Sequence, residues 1–331
     1  MQVSSQQIKA IQRVLLIGGL IMLINFVAFF ITHSNSILSD SLESVINITA
    51  GLFAWFSLHL AAKPKDINHP YGHGKIEFFS AGFEGSLIFL TGLVIIGKAT
   101  YNLIAPAAIH NLDTGAILAG IAGTTNFFLG KYLIKTGKKH NSITLIADGK
   151  HLQSDTWSSL GLVVGVVLIY FTKIVWLDNV FAILFGFIII YTGYPLMRKA
   201  YGGLMDEADE EILQDVIRVL NENKQPQWID VHNLRLVQYG SNYHIDCHLT
   251  LPWYNDLQKS HAELKKIETL ISKKFNQKVE LFIHPDPCVE ASCEICSVKN
   301  CSFRKHPYVR SVEWTIQNVS SDKKHQLNKE H

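Results

Sequence analysis

Two short polar signatures interrupt long apolar runs. Glu43 and Asn47 stand in Ser39-Asp40-Ser41-Leu42-Glu43-Ser44-Val45-Ile46-Asn47, and His151 and Asp155 stand in His151-Leu152-Gln153-Ser154-Asp155. Each pair is spaced i, i+4, which on a helix puts both side chains on one face. Two such helices packed face to face offer two carboxylates, one imidazole and one amide oxygen to a single divalent cation. That donor set suits borderline or moderately hard ions such as Zn²⁺, Mn²⁺, Fe²⁺ or Co²⁺. Ionisable groups inside a bilayer cost roughly 2.5 kcal/mol or more each by insertion scales, so they mark a pathway. The bland alternative is that these groups pair with one another or with backbone to hold helices together. It accounts for one such pair more easily than for two matching pairs in separate spans. Asp40 lies one turn before Glu43 and would cap the second helix or line an entrance.

Three further clusters carry metal-ligand chemistry. Asp66, His69 and His73 fall in Asp66-Ile67-Asn68-His69-Pro70-Tyr71-Gly72-His73-Gly74-Lys75. Two imidazoles and a carboxylate in a short Gly- and Pro-containing turn can converge on one metal, though an ordinary polar loop would read the same way. His232, His248, His261, His284 and Asp286 are spread over strand and helix patterns of a later segment. One small domain could gather all five into a one- or two-metal cluster, the alternative being exposed histidines. Last comes Cys288-x4-Cys293-x2-Cys296-x4-Cys301. In a cytoplasmic segment thiols stay reduced, so the quartet favours a tetrahedral thiolate site of Zn²⁺ type over disulfides, with redox chemistry or a softer sensed metal as alternatives. Cys247, alone in a strand pattern, reads as core packing.

The elements that must position these residues are mostly membrane spans. The chain is 48% hydrophobic and only 18% charged, too apolar for an ordinary soluble protein of 331 residues. A net charge of +2 gives no sign of a nucleic-acid partner. A spanning helix needs about 20 mostly apolar residues. Six candidates meet this: Val14–Ile31, Ile37–Ala62, Phe78–Ile104, Ala116–Ile134, Thr144–Phe171 and Val175–Met197. No small-residue cleavage site follows the first run, so it reads as a retained span rather than a signal peptide. The second and fifth carry most of the polar groups and belong in the bundle interior. Lys9, Arg13, Lys63, Lys65, Lys75, Lys131, Lys135, Lys138, Lys139, Arg198 and Lys199 all fall on one side. The positive-inside rule puts that side, and both termini, in the cytoplasm. The default membrane is a bacterial inner membrane.

From Asp206 onward the chain reads as soluble. Glu210 to Asn221 and Ser260 to Phe275 have helical periodicity, while Trp228 to Gln238, Tyr243 to Leu251 and Val279 to His284 alternate like strands. The αββαβ order implies a small α+β domain of roughly 80 residues. The expected organisation is a six-span transport domain over 1–205, an α+β metal-binding domain over 206–287, a Cys-rich insert over 288–303 and a polar, disordered tail over 304–331.

These signatures together resemble the cation diffusion facilitator transporters across roughly residues 10 to 290. The matching stretches are Ser39-Asp40-Ser41-Leu42-Glu43-Ser44, His69-Pro70-Tyr71-Gly72-His73-Gly74-Lys75-Ile76-Glu77, His151-Leu152-Gln153-Ser154-Asp155 and His284-Pro285-Asp286-Pro287. The resemblance implies a homodimer of all-α six-helix transmembrane bundles, each with a cytoplasmic metallochaperone-like (ferredoxin-like) α+β domain. It implies export of a divalent transition metal from the cytoplasm driven by proton antiport, with no organic cofactor and no enzymatic activity. The family's transport site would fall on Glu43, Asn47, His151 and Asp155, its loop site on Asp66, His69 and His73, and its cytoplasmic cluster on His232, His248, His261, His284 and Asp286. A charge pair that locks family dimers would fall on Lys75 and Asp206. The chain departs from the family's zinc sites, which place His or Asp, then Asp, on the second helix. Here Glu43 and neutral Asn47 leave one negative charge fewer, so Mn²⁺, Fe²⁺, Co²⁺ or Cd²⁺ join Zn²⁺ as candidate cargoes. The Cys-rich insert lies outside the common family pattern.

Two other classes remain in view. An intramembrane metallohydrolase needs an open metal position and a general base, and the chain has no His-Glu-x2-His motif. A membrane-anchored metal sensor would not need polar pairs deep in two spans.

Overall fold

A computed structural model of the chain describes residues 5–32, 35–105, 112–172, 174, 176–275 and 279–327; within these, the side chains of residues 28, 32, 35–40, 43, 112–119, 162, 166, 169 and 178 are not described. The chain divides into two compact units, Gln2–Met205 and Asp206–His331.

The first unit is a bundle of six long helices: α1 (Ser5–Thr32), α2 (Asn35–Ala61), α3 (Ile76–Ile104), α4 (Leu112–His140), α5 (Ile143–Thr172) and α6 (Trp176–Leu204). Large apolar side chains such as Leu16, Phe30, Val94 and Tyr191 face outward, whereas Glu77, Glu84, Asp148, His151 and Asp155 are buried. This inverted polarity suits a hydrocarbon surround, where only internally hydrogen-bonded helices can span. Among the described residues, five helices are long and apolar enough to cross a membrane, namely all but α4. The described part of α4 carries Lys131, Lys135, Lys138 and Lys139, and its glycines serve packing. A Cβ on Gly130 would stand 2.6 Å from the carbonyl oxygen of Gly149 on α5, and one on Gly149 would stand 2.8 Å from the Gly130 oxygen. The α3–α6 contact repeats the device, with a Cβ on Gly92 only 2.9 Å from the Gly186 oxygen. Lipid tails are as apolar as leucine, so close backbone approach of small residues is what drives such pairing.

The starts of α3 and α5 are pinned by buried Glu77, whose Oε2 accepts from Ser142 Oγ at 2.5 Å. Asp40 lies five residues inside α2, so the capping role considered for it from sequence does not hold.

The second unit runs α7 (Glu210–Glu222), β1 (Asp230–Tyr239), β2 (Asn242–Leu251), α8 (Leu257–Lys274) and β3 (Val279–Pro287). Asp209 caps α7 by accepting from the amides of Glu211 and Ile212. The sheet order is β1-β2-β3, with β1 antiparallel and β3 parallel to β2. The register sets His232 opposite His248 and His248 opposite His284. A parallel neighbour needs a crossover connection, and α8 provides it.

The tail departs from the expected disorder. Trp314 and Val319 join the core formed by α7, α8 and the sheet, and a short helix α9 covers Ile316–Val319. Asn221 Nδ2 donates to the Trp314 carbonyl at 2.8 Å, and Lys224 Nζ lies 3.9 Å from the centre of the indole ring. Composition suggested solvation because the tail's few large apolar residues are isolated among polar ones. Trp314 and Val319 anchor it, with Val312 and Ile316 packed partly buried against the same core.

Gly130→Val wedges the α4–α5 contact and is expected to cost about 1–3 kcal/mol, read as a lowered unfolding temperature in detergent, while Gly97→Ala, with nothing within 4 Å of its Cβ position, stays neutral. Trp314→Ala is expected to cost about 3–5 kcal/mol and to expose the tail to limited proteolysis; an unchanged cleavage pattern would contradict its anchoring role.

Candidate metal centres

Asn47 of the first polar pair meets His151 and Asp155 of the second inside the bundle. Asn47 on α2 donates through Nδ2 to Asp155 Oδ2 at 2.8 Å, which turns its Oδ1 toward His151 Nε2 at 3.0 Å. His151 Nε2 and Asp155 Oδ2 are themselves 4.0 Å apart. The three groups line a hollow of about 410 Å³ whose other polar walls include Asn25, Ser44, Asp148 and Ser158. An imidazole nitrogen, a carboxylate and an amide oxygen thus converge from two helices. The side chain of Glu43, the fourth expected ligand, lies outside the described residues, as does that of Asp40.

Two acidic residues that the sequence reading left out of the site belong beside it. Glu84 on α3 is fully buried, and its Oε2 lies 3.4 Å from His151 Nδ1, the imidazole nitrogen opposite the hollow. Asp148 is also buried and lines the hollow, one turn before His151 on α5. The Asp148-x2-His151-x3-Asp155 spacing was the available signal, since i, i+3 and i+7 share a helix face. For Glu84 no spacing rule applied; its role comes from the α3–α5 packing.

The loop between α2 and α3 gathers its three expected residues. His69 Nδ1 lies 3.1 Å and His73 Nε2 3.4 Å from the Asp66 carboxylate, and the two rings are 4.2 Å apart. Gly72, at φ +90°, supplies the left-handed turn that brings His73 back toward Asp66. The His69 backbone amide and the two imidazoles hold the Asp66 carboxyl below its usual range.

On the second unit, His232, His248 and Asp286 place their ligand atoms within 4.8 Å of one another. Asp286 Oδ2 stands 3.2 Å from His232 Nε2 and 3.2 Å from His248 Nδ1. His284 Nε2 is 3.5 Å from Asp286 Oδ1. His261, expected in this group, is exposed on α8, and no described contact joins it to the others. Behind His232 stands Asp230, buried and 3.4 Å from Nδ1, and Asp230 in turn accepts from His325 in the tail. Burial works to raise the Asp230 carboxyl, but the hydrogen bonds from His232 and His325 outweigh it and hold the group well below the usual carboxylate range. Carboxylates that orient ligating histidines in this way tune metal sites. Neither Asp230 nor His325 was singled out from sequence, because a residue 95 positions away supplies the contact. Lys75 precedes α3 in the first unit, and Asp206, at φ 61°, opens the second.

Buried carboxylates and an imidazole gathered in an apolar helical bundle, with a separate His-rich α+β unit, define an integral membrane protein that handles metal cations. Comparison with known proteins makes this specific. The family description "Cation efflux transmembrane domain" matches residues 11–205, and "Cation efflux protein, cytoplasmic domain" matches residues 208–288. The chain belongs to the cation efflux family. It is 37% identical over 247 residues to the uncharacterized transporter sll1263 of Synechocystis sp., covering 75% of this chain and 80% of that one. It is 28% identical over 275 residues to the cation-efflux pump FieF of Citrobacter koseri, covering 82% and 89%. It is 24% identical over 290 residues to the manganese efflux system protein MneP of Bacillus subtilis, covering 85% and 97%.

Asp230→Asn should lower metal affinity at the His232–His248–Asp286 group about 10- to 100-fold, measured by titration in an Asp66→Ala, Asp155→Ala background; unchanged affinity would separate Asp230 from the site. The same substitution reports on acid stability. A depressed carboxyl contributes stability that is fully present above its unfolded value of about 3.9 and is lost as pH falls through the lower folded value. The variant is therefore less stable at neutral pH and its acid unfolding is shallower.

Proposed function

We propose that the protein exports a divalent transition metal from the cytoplasm in exchange for protons, by alternating access to a site made of Glu43, Asn47, His151 and Asp155. The observation that carries this reading is the Asn47–His151–Asp155 contact, an interlocked polar group lining a hollow between otherwise apolar helices. Because Asn47 gives its amide hydrogens to Asp155, the Nε2 facing its oxygen carries a hydrogen. That hydrogen occupies the lone pair a metal needs, so cargo and proton compete for one atom. Facing the cytoplasm, metal displaces the proton; facing an acidic compartment, the proton displaces metal. Glu84, its Oε2 3.4 Å from Nδ1, places its carboxylate on that side of the ring and favours the orientation that presents Nε2 to the hollow. Rocking of helices about a site near the midplane is the common way secondary transporters alternate access.

The protein works as a homodimer in a bacterial inner membrane, with its Lys- and Arg-rich loops and both termini in the cytoplasm. The loop group Asp66–His69–His73 and the group His232–His248–His284–Asp286 bind the same class of ion at the cytoplasmic face and bias the rocking. Zn²⁺ is the first cargo to test, with Mn²⁺, Fe²⁺, Co²⁺ and Cd²⁺ beside it. Neutral Asn47 in place of a carboxylate, and the name of the Bacillus subtilis relative, both favour including Mn²⁺.

The test is metal uptake into inside-out proteoliposomes under an inside-acid gradient. Wild type should take up at least one of the five ions in a gradient-dependent way, and Asp155→Ala should fall to background. No uptake of any ion by well-folded dimer would sink the transporter reading. Glu84→Gln should weaken apparent metal affinity about 10- to 100-fold while sparing the maximal rate at saturating metal. An unaltered affinity would remove Glu84 from the positioning role.

A further inference from the structure

The cysteine quartet is absorbed by none of this. The matched cytoplasmic domain ends at residue 288, so Cys293, Cys296, Cys301 and the chain that folds around them lie beyond it. All five cysteines of the chain are free thiols, with Cys247 away in the β2 core and the other four in one folded knuckle. Cys288 follows β3 and its amide donates to the Leu251 carbonyl at 2.9 Å. A 3₁₀ turn over Glu290–Glu294 carries Cys293, and Cys296 is buried against Ile229 and Ile295.

Arg304 holds the knuckle shut. Its guanidinium donates to the carbonyl oxygens of Cys293 at 2.8 Å, Cys296 at 2.9 Å and Val298 at 2.8 Å. Each sulfur meets a donor: Trp253 N–H at Cys288, Lys305 N–H at Cys293 (3.5 Å), Val298 N–H at Cys296 and the Tyr254 hydroxyl at Cys301. Amide donors aimed at sulfur, as the Lys305 N–H is at Cys293, recur around thiolates bound to metal clusters. Trp253, Tyr254 and Phe303 stack into an aromatic wall, with Phe303 4.7 Å from Trp253 and 5.3 Å from Tyr254.

The spacing of the thiols separates two kinds of centre. A single tetrahedral Zn²⁺ with Zn–S of about 2.3 Å pulls its sulfurs to about 3.8 Å of one another. A cubane cluster spreads its four thiolates over separate irons, and they stand wider apart. Among the described residues, the triads with ligand atoms all within 4.8 Å are Asp66–His69–His73 and His232–His248–Asp286, and the cysteines form no such triad. Yet Cys288 packs against the small core of Ile229, Ile295 and Cys296, and Arg304 ties the backbone of Cys293, Cys296 and Cys301 together, its own amide donating to the Cys301 carbonyl at 3.2 Å, so the four cysteines stand on one knuckle.

We propose that Cys288, Cys293, Cys296 and Cys301 hold an iron–sulfur cluster on the second unit, separate from the His and carboxylate sites. The full-length protein, purified anaerobically in detergent and reconstituted with ferric iron, dithiothreitol as reductant and sulfide, decides it. The expected result is iron and acid-labile sulfide in equal amounts and a visible charge-transfer absorption bleached by dithionite. Cys293→Ser, Cys296→Ser should bring both to background, and Cys247→Ser should leave them unchanged. Because wild-type metal and sulfide contents answer the question alone, a poorly folded variant does not blunt the test. Stoichiometric zinc without sulfide would overturn the cluster in favour of a single-ion site. Absence of any thiol-bound metal would overturn the centre altogether.

Discussion

A carboxylate among apolar helices must be matched by partners that travel with it, and the first unit is organised around that demand. Asp155 takes hydrogens from Asn47, Asn47 presents its oxygen to His151, and His151 turns its other nitrogen to Glu84. The chain of contacts joins α2, α5 and α3. Buried polar groups cost several kcal/mol when unsatisfied in hydrocarbon, so these three helices cannot be separated without exposing the groups. The glycine contacts of α4 with α5 and α6 with α3 then fix the helices that carry His151 and Glu84 at backbone distance. Site geometry and helix packing are therefore one problem.

The second unit solves a parallel problem with a sheet. Pairing β2 with an antiparallel neighbour on one side and a parallel one on the other lines up His232, His248 and His284 across three strands. Asp286, just past His284, turns back among them. The tail completes the arrangement from behind, with His325 donating to Asp230 and Asp230 facing His232. Lys324 adds a positive charge 3.7 Å from Asp286. A segment that reads as solvent-exposed by composition thus sets the electrostatics of a site on the far end of the sequence from it within the unit.

Much of this was legible beforehand because it depends on local periodicity. Apolar runs of spanning length, the i, i+4 half-sites, the αββαβ order and the short Asp66–His73 turn all follow from residue spacing along the chain. The tail was misread because a few scattered apolar anchors, Trp314 and Val319 foremost, carry too little weight in a polar stretch to signal burial. Glu84 and Asp148 were visible as charges within spans, but which helix faces which is not a local property. His261 shows the same limit in reverse, since its position early in α8 gave no indication of how the helix would lie across the sheet.

The sequence by itself determined the membrane-spanning class, the donor types at each centre and the spacing that puts ligands on common faces, because these follow from 3.6- and 2-residue periods and from the cost of charge in hydrocarbon. Only the tertiary structure decided that Asn47 and Asp155 interlock, that Glu84 stands behind His151, that the tail closes over Asp230, and that the four thiols stand wider apart than one ion would draw them. Those outcomes depend on contacts between residues as many as 108 positions apart, and packing, not spacing, sets them.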